Sequence, residues 1–526
     1  MIRGARVLKG PRYNGGRLRK RLALLIVLVL SLSACHKQVD SGKPISIHIS
    51  VPYELDSLDP HLHDTISDYV IACHFYEPLV RITPTMSIEP VLAESWENPD
   101  ATTWVFHLRA AAKFHSGKIL TADDVVYSFK RLLGNPGLGI KSYLANVTGV
   151  EADDSRTVRI RTSRPVSILL NRLSFVLIVP SGAQEKDLSR TVNGTGPFRF
   201  SSREGDRSIS MIRNEDYWGP KPVLRDVTFY LGRSPDHAMR DLLTRRSQFV
   251  QCNTKRLERL KESLTEYTIL HRDNLFMKYL GFDVSRDDAP GAGIHPNPFK
   301  NPDVRRAFSL AIDLKKLVEQ LPTPATPASQ PVPPFIFGYN PDIPAPVFDP
   351  DQARALLRRA GIEQWRVTLD TRQLFKEAAE IVRSQLGAVG VQLDLNLLSD
   401  HDFFETMRLG RSSLFLSRLG CPTGDASMTL GLGMHSPDPS QNYGGNNWGG
   451  YSNPSIDRAI EESDEIPEVD RRRHKLEAIL ATVTDDLVWV PLYFDQDTYV
   501  LHHDFSWEPR TDSYIFASEI QWQKQK

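Results

Sequence analysis

The sequence predicts an α/β fold in more than one body, on three observations. A strand, a helix and a second strand follow one another between Val367 and Leu397, an order that folds as a right-handed parallel crossover. Residues 45 to 51 alternate strictly, Ile45, Ile47, Ile49 and Val51 against Ser46, His48 and Ser50, the period of a half-buried strand. The 526 residues, about 490 once an amino-terminal leader is set aside, suffice for two or three bodies with their own cores.

Taken in chain order, the first strand leaves into a turn-rich loop, Pro52 to Pro60. Thr103 to Leu108 reads as a strand and Phe114 to Lys118 as a tight turn. Thr121-Ala122-Asp123-Asp124 opens a helix, with a capping hydroxyl and acids at the positive end of the dipole. Asn193-Gly194-Thr195-Gly196-Pro197-Phe198 is a glycine-rich corner entering a strand. It lacks the spacing of a phosphate loop and reads as a backbone bend. Thr228 to Tyr230 is a further strand.

A second body starts near residue 275. Asn301-Pro302-Asp303 caps and starts a helix, and Val304, Ala307, Phe308, Ala311 and Ile312 give it one buried stripe. Ten prolines between 322 and 350, broken by Phe335, Phe337 and Tyr339, read as an extended, ordered crossing. Asp349-Pro350 begins the next helix and Gly361 closes it. The unit Val367–Leu369, Leu374–Val389, Val391–Leu397 follows. Parallel strands place ligands beyond their carboxyl ends, which points to the loops after residues 370 and 398. A strand at 414–416, a Gly-, Asn- and Trp-rich loop at 442–451, a polar helix over roughly 455–485 and a strand at 487–493 complete the body. The remainder returns to the first one.

Arg17, Arg19, Lys20 and Arg21 precede an apolar run from Leu22 to Leu32, then Ser33-Ala34-Cys35. A basic head, a short apolar segment and small residues form a secretory signal peptide. The run is about half the ~20 residues a spanning helix needs. Residues 1–34 are read as this leader, Cys35 as a lipidated amino terminus and 35–43 as a tether. The chain carries 64 basic and 64 acidic residues, and the leader holds eight of the basic ones and no acid. The remainder is therefore −8, which argues against nucleic acid as a partner. Cys73, Cys252 and Cys421 have no metal-type spacing and read as three buried thiols. No GxSxG, HExxH or paired Cys-x-x-Cys occurs, so the reading is not an enzyme, with no cofactor and no resident metal.

Several stretches together resemble family 5 of the bacterial extracellular solute-binding proteins, the peptide-binding receptors of ABC importers. They are Leu58-Asp59-Pro60-His61, Phe75-Tyr76-Glu77-Pro78-Leu79, Ala93-Glu94-Ser95-Trp96, Trp104 to Arg109, Phe114-His115-Ser116-Gly117 and Thr121 to Ser128. Gly194 to Phe198, Asn214 to Gly219, Val304 to Ala307, Ala311-Ile312-Asp313 and Tyr451 to Pro454 continue the series in the same order. The resemblance implies a two-lobed, hinged, periplasmic-binding-protein-like α/β fold with an extra subdomain on lobe I. Lobe I would be 44–274 plus 497–526, its subdomain 88–189, and lobe II 275–496. It also implies a small-molecule ligand, a peptide first, delivered to an ABC permease by a monomer held at the membrane through its lipid. Nickel or haem complexes, glutathione or an oligosaccharide are the alternative cargoes, and His61, His63 and His74 are the residues that could touch a metal complex.

In dipeptide-binding relatives a Trp-x-Gly-Asp-x-Gly-Asp-Pro stretch supplies the acid for the ligand's amino group. Here Leu419 stands for the tryptophan, Cys421 for the first glycine and Pro422 for that aspartate, while Gly424 and Asp425 match the second pair. Asp425 either takes over the role or caps the following turn. Arg418 is a candidate for an anionic ligand group or for a salt bridge. Tyr53 and Glu54 after strand one, Tyr76, and Asn447 and Trp448 in the glycine-rich loop complete the candidate binding set.

Overall fold

An eleven-stranded mixed sheet runs through the computed structural model, which describes residues 44–62, 66–135, 137–188 and 191–523. The leader, Cys35, the tether and His63 lie outside the described residues. In chain order the sheet uses β1 (Ser46–Ser50), β2 (Phe198–Glu204), β3 (Ser208–Arg213), β4 (Asp226–Tyr230) and β5 (Phe249–Gln251). It continues with β6 (Tyr267–Phe282), β7 (Trp365–Arg372), β8 (Val391–Leu398), β9 (Leu414–Gly420) and β10 (Trp489–His502). Their spatial order is β8-β7-β9-β6-β10-β5-β1-β4-β3-β2, with the short strand Ala325–Pro327 paired to β10.

β1 lies parallel to β4 and β5, and its alternation buries Ile47 and Ile49 completely. β7 lies parallel to both β8 and β9, the crossover that the strand–helix–strand order predicts. The long antiparallel pair β6 and β10 joins the two halves of the sheet. Residues 499–501 of β10 pair with β5, whereas residues 276–282 of β6 pair with β9. Between those stretches the β6–β10 register slips, from Asp273 to Met277, which bends the ladder where it passes from one half to the other.

The β6–β10 half is covered on both faces, as parallel sheets require. One core joins Phe282, Phe308, Leu369, Val382 and Leu414 and draws on α2 (Pro302–Ala311), α3 (Pro350–Arg359) and α4 (Lys376–Gly387). The other joins Tyr279, Leu430, Leu476, Leu480 and Trp489. A separate four-stranded antiparallel sheet, formed within residues 93–162, packs on α1 (Ala122–Gly134) around Phe106, Phe129 and Ile160. The Asp124 carboxylate accepts from the N–H and hydroxyl of Thr121, which fixes the start of α1. The glycine corner is a close approach: a Cβ on Gly194 would lie 1.9 Å from the Phe75 carbonyl oxygen.

Three expectations change in detail. The polar helix over 455–485 is two helices, Pro454–Glu465 and Val469–Asp485. Pro467 forces Ile466 to an extended backbone and ends the first of them. The strand at 487–493 extends to His502 because it pairs with β6 along its whole length. The helix predicted from Leu374 begins with a 3-10 turn, Gln373–Phe375, and becomes α-helical at Lys376. The proline segment is ordered: Val332 and Ile336 are buried, and Phe337 bridges to Asp425. Cys73, Cys252 and Cys421 are free thiols, the first partly exposed.

Candidate ligand-binding site

The carboxyl ends of β7, β8 and β9 carry a group of cations set against aromatic rings. Arg372 ends β7 and is only 4 % exposed. Its Nη1 donates to Asp400 Oδ2 at 2.8 Å, and its guanidinium lies over the rings of Phe375 (4.6 Å) and Phe404 (5.7 Å). Asp400 opens the helix after β8, with Ser399 as its N-cap. The Arg372 Nε has no hydrogen-bond partner among the described residues.

Arg418 stands on β9 directly opposite Lys278 of β6 and rests over Phe276 at 4.6 Å. The residue as a whole is exposed, yet desolvation and then repulsion from Arg372 lower the pKa of its guanidinium. Lys278 is buried and forms an ion pair with Asp495 of β10. Burial depresses its pKa, and Asp495 opposes the shift. The Lys278 ammonium also lies over Phe375 and Tyr493, at 5.3 and 5.6 Å. Leu374 and Phe404 stay 56 % and 48 % exposed beside this group. Flat cations on ring faces, next to exposed apolar side chains, suit a ligand with an acidic end and an apolar body.

A second set of contacts joins residues 142–172 to 423–466. Asn171 Nδ2 donates to the Thr423 carbonyl (2.7 Å), Ser167 N to that of Asp464 (2.9 Å) and Ser167 Oγ to that of Ile466 (2.7 Å). Arg164 Nη2 donates to Tyr443 Oη at 2.5 Å, and that hydroxyl donates to Asp464 Oδ2 at 2.8 Å. These bonds border a cavity of about 130 Å³ lined by Tyr143, Arg172, Ser427, Met428, Tyr443 and Asp464. Ser427 Oγ and Asp464 Oδ1 have no hydrogen-bond partner among the described residues. Residues 142–172 and 423–466 are thus in direct contact around this cavity.

The residues singled out from sequence divide between the cationic group and the packed interior. Arg418 is in the group, and Leu419 beside it is half-buried. Trp448 meets Phe403, Phe404 and Phe415 edge-on, with centroids 5.9, 6.0 and 5.8 Å away. It therefore backs Phe404, the ring under Arg372. Asn447 staples its loop, donating to the carbonyls of His435 and Tyr451 and accepting from Tyr451 N. Asp425 caps the helix Ala426–Gly433 through Ser427 N and accepts both arms of Arg472, at 2.6 and 2.8 Å. Its carboxylate is committed inside the protein, 4 % exposed. Cys421 is buried and donates to the Asp425 carbonyl, with its thiol pushed by burial up to about 12.

Tyr53 is buried with its hydroxyl on the Ser513 carbonyl, and Glu54 is exposed. Tyr76 is fully buried and lines a cavity of about 40 Å³ with Cys73 and Tyr514. His61 and His74 hold the carbonyls of Leu177 and Val70 through separate bonds inside the core, and His74 also accepts from Ala517 N. They do not converge. His435 bonds to the Ser436 carbonyl and Ser436 Oγ to Ser452, so that adjacent pair forms no dyad. Sequence reasoning missed Lys278, Phe276, Asp495, Arg372, Phe375 and Phe404. The carboxyl-end rule pointed to the loops holding Arg372 and Asp400 without naming either.

The profile for the bacterial extracellular solute-binding proteins, family 5 (middle region), matches residues 87–441. The heme-binding protein A of Haemophilus influenzae is 27 % identical over 453 residues, 77 % of this chain and 78 % of that protein. The di/tripeptide-binding protein 2 of Pseudomonas aeruginosa is 22 % identical over 472 residues, 81 % of this chain and 86 % of that protein. The structure of an ABC transporter-associated periplasmic binding protein, DppA of Helicobacter pylori, in complex with the peptide STSA superposes with a TM-score of 0.75. It is 21 % identical and covers 91 % of this chain and 99 % of its own. The fold is that of the two-lobed periplasmic binding proteins. With two thirds of its length matched in one continuous stretch, this chain belongs to family 5 of the bacterial extracellular solute-binding proteins.

Proposed function

We propose that the protein captures a small peptide between two lobes, without altering it, and hands it to an ABC-type permease. The observation that carries this reading is Arg372: a guanidinium at the end of a parallel strand whose acidic partner Asp400 is largely exposed, which leaves it able to take the ligand's terminal carboxylate. Lobe I is 44–274 plus 497–526, with 88–189 as its subdomain, and lobe II is 275–496. The β6–β10 pair and its register slip form the hinge, which lets one lobe rock on the other. The 142–172 and 423–466 contacts are the rims that meet on closure. Cleavage after residue 34 and a lipid on Cys35 hold a monomer to the membrane by the tether 35–43.

Ligand-dependent melting tests the reading. A peptide at 100-fold its Kd adds about 2.7 kcal/mol to the native state. In a panel of peptides of different lengths, one length class raises the melting temperature. A panel in which no small molecule moves the transition overturns the reading. Changing Cys35 to Ala releases the protein from membranes; retention of that variant refutes the anchor. A non-peptide acidic cargo is the second reading, favoured by the exposed apolar side chains beside the cationic group and by the heme-binding relative.

A further inference from the structure

The cationic group holds more positive charge than its own acids answer. Lys278 and Arg418 face each other across neighbouring strands, a placement in which like charges repel. Asp495 answers Lys278. Asp400 answers Arg372, through a carboxylate that is itself 62 % exposed. Arg418 makes no hydrogen bond or ion pair among the described residues; it rests on the Phe276 ring and feels Asp495 and Asp400 only at a distance. The Thr371–Leu416 register puts Arg372 one residue out of step with Arg418, so it is the Phe375 ring, lying under both Arg372 and Lys278, that gathers Arg372 to the Lys278–Arg418 pair at the strand ends.

The acid that could balance a positive end of a ligand is spent elsewhere. Asp425, which follows β9 by five residues, is locked to Arg472, and Pro422 offers no side-chain charge. Three cations therefore face two acids. A ring beneath Arg418 holds the guanidinium flat and leaves its edge N–H groups free for a two-oxygen acceptor.

Resting on the reading of the cationic group as the ligand site, we infer that Arg418 binds a second acidic group on the cargo. The protein then selects small peptides of net negative charge, with Arg372 taking one carboxylate and Arg418 the other.

Calorimetric titration of the full-length protein with di-, tri- and tetra-alanine and their single-glutamate counterparts tests this. The expected result is that the acidic member of one length binds about tenfold more tightly, the scale of one charge-assisted contact. That advantage shrinks as salt is raised. Arg418→Gln removes the preference, weakening the acidic peptide about tenfold more than the neutral one, and Arg418→Lys restores part of it. Equal binding of neutral and acidic peptides by the unaltered protein overturns the inference and leaves the peptide reading standing. An equal loss for both peptides in Arg418→Gln overturns it too. Failure of every peptide to bind overturns the reading beneath it as well.

Discussion

Two charged groups near the carboxyl end of β9, one built on Asp425 and one on Arg418, are settled in opposite ways. Asp425 and Arg472 satisfy one another: both are buried, and the pair is forked, capped and backed by Arg472 Nε on the Ser463 carbonyl. The Arg372–Arg418 group is unfinished by comparison, with an unpartnered Nε on one guanidinium and, among the described residues, no ion pair on the other. A buried ion pair that closes on itself fixes a loop and offers nothing to a guest. Cations held on ring faces beside exposed apolar side chains are preorganised for something brought in from outside. The Asp425 carboxylate is architecture here, and the proposed site leaves recognition to the guanidiniums.

The largest test of that contrast is to break the closed pair. Arg472→Ala or Asp425→Ala leaves an uncompensated buried charge and costs about 3–5 kcal/mol of stability, read as a lower midpoint in denaturant. Replacing both together by apolar residues recovers most of the loss. If either single variant unfolds at the normal midpoint, the pair is not what holds the loop.

Why only part of this was legible in the sequence follows from distance along the chain. The strand–helix–strand order between 365 and 398 is local, so hydrophobic period and turn residues suffice to predict the crossover, and with it the end at which the proposed site lies. Arg372 and Asp400 are the charges at that end, close in space because two parallel strands start in register. Asp425 and Arg472 are 47 positions apart, and Lys278 and Asp495 are 217 apart. Only the pairing of β6 with β9 and β10 brings Lys278, Arg418 and Asp495 together. No local pattern encodes that. The one local signal passed over was Pro467, which splits the polar helix and places Asp464 and Ile466 at a rim contact.

Acid separates stability from recognition. His61 and His74 are buried and neutral, with burial the leading cause that lowers each imidazole to about 4. In the unfolded chain they titrate near 6.5. The unfolded state therefore binds more protons between pH 6.5 and 4, and stability falls as pH drops through that window. Each histidine accounts for a loss on the order of 3 kcal/mol, complete below pH 4. Guanidiniums keep their charge throughout. From pH 6.5 to 5, then, melting falls while affinity per folded molecule holds, and His74→Gln flattens the melting curve. A curve already flat in the unaltered protein rejects the assignment.

Arg372→Ala tests the open group directly. Asp400, its partner, is largely exposed, so the orphaned acid is solvated and the melting shift is smaller than in the Asp425 or Arg472 variants. Ligand affinity falls about 30-fold, roughly the 2 kcal/mol of a hydrogen bond to a charged group. An affinity loss that merely tracks a stability loss as large as that of Arg472→Ala would make Arg372 another closed, structural charge.

The smallest effect lies in the aromatic rings. Phe404 is 48 % exposed, carries Arg372 on one side and meets Trp448 on the other. Phe404→Ala removes one ring from beneath the guanidinium, a contribution of about 0.5–1 kcal/mol at an accessible site, or a two- to fivefold weaker ligand. Phe404→Leu keeps the apolar area and loses the ring face, so comparing the two variants separates packing from cation–π contact. Equal affinity in both variants and the unaltered protein would mean that Arg372 is held by Phe375 and Asp400 alone.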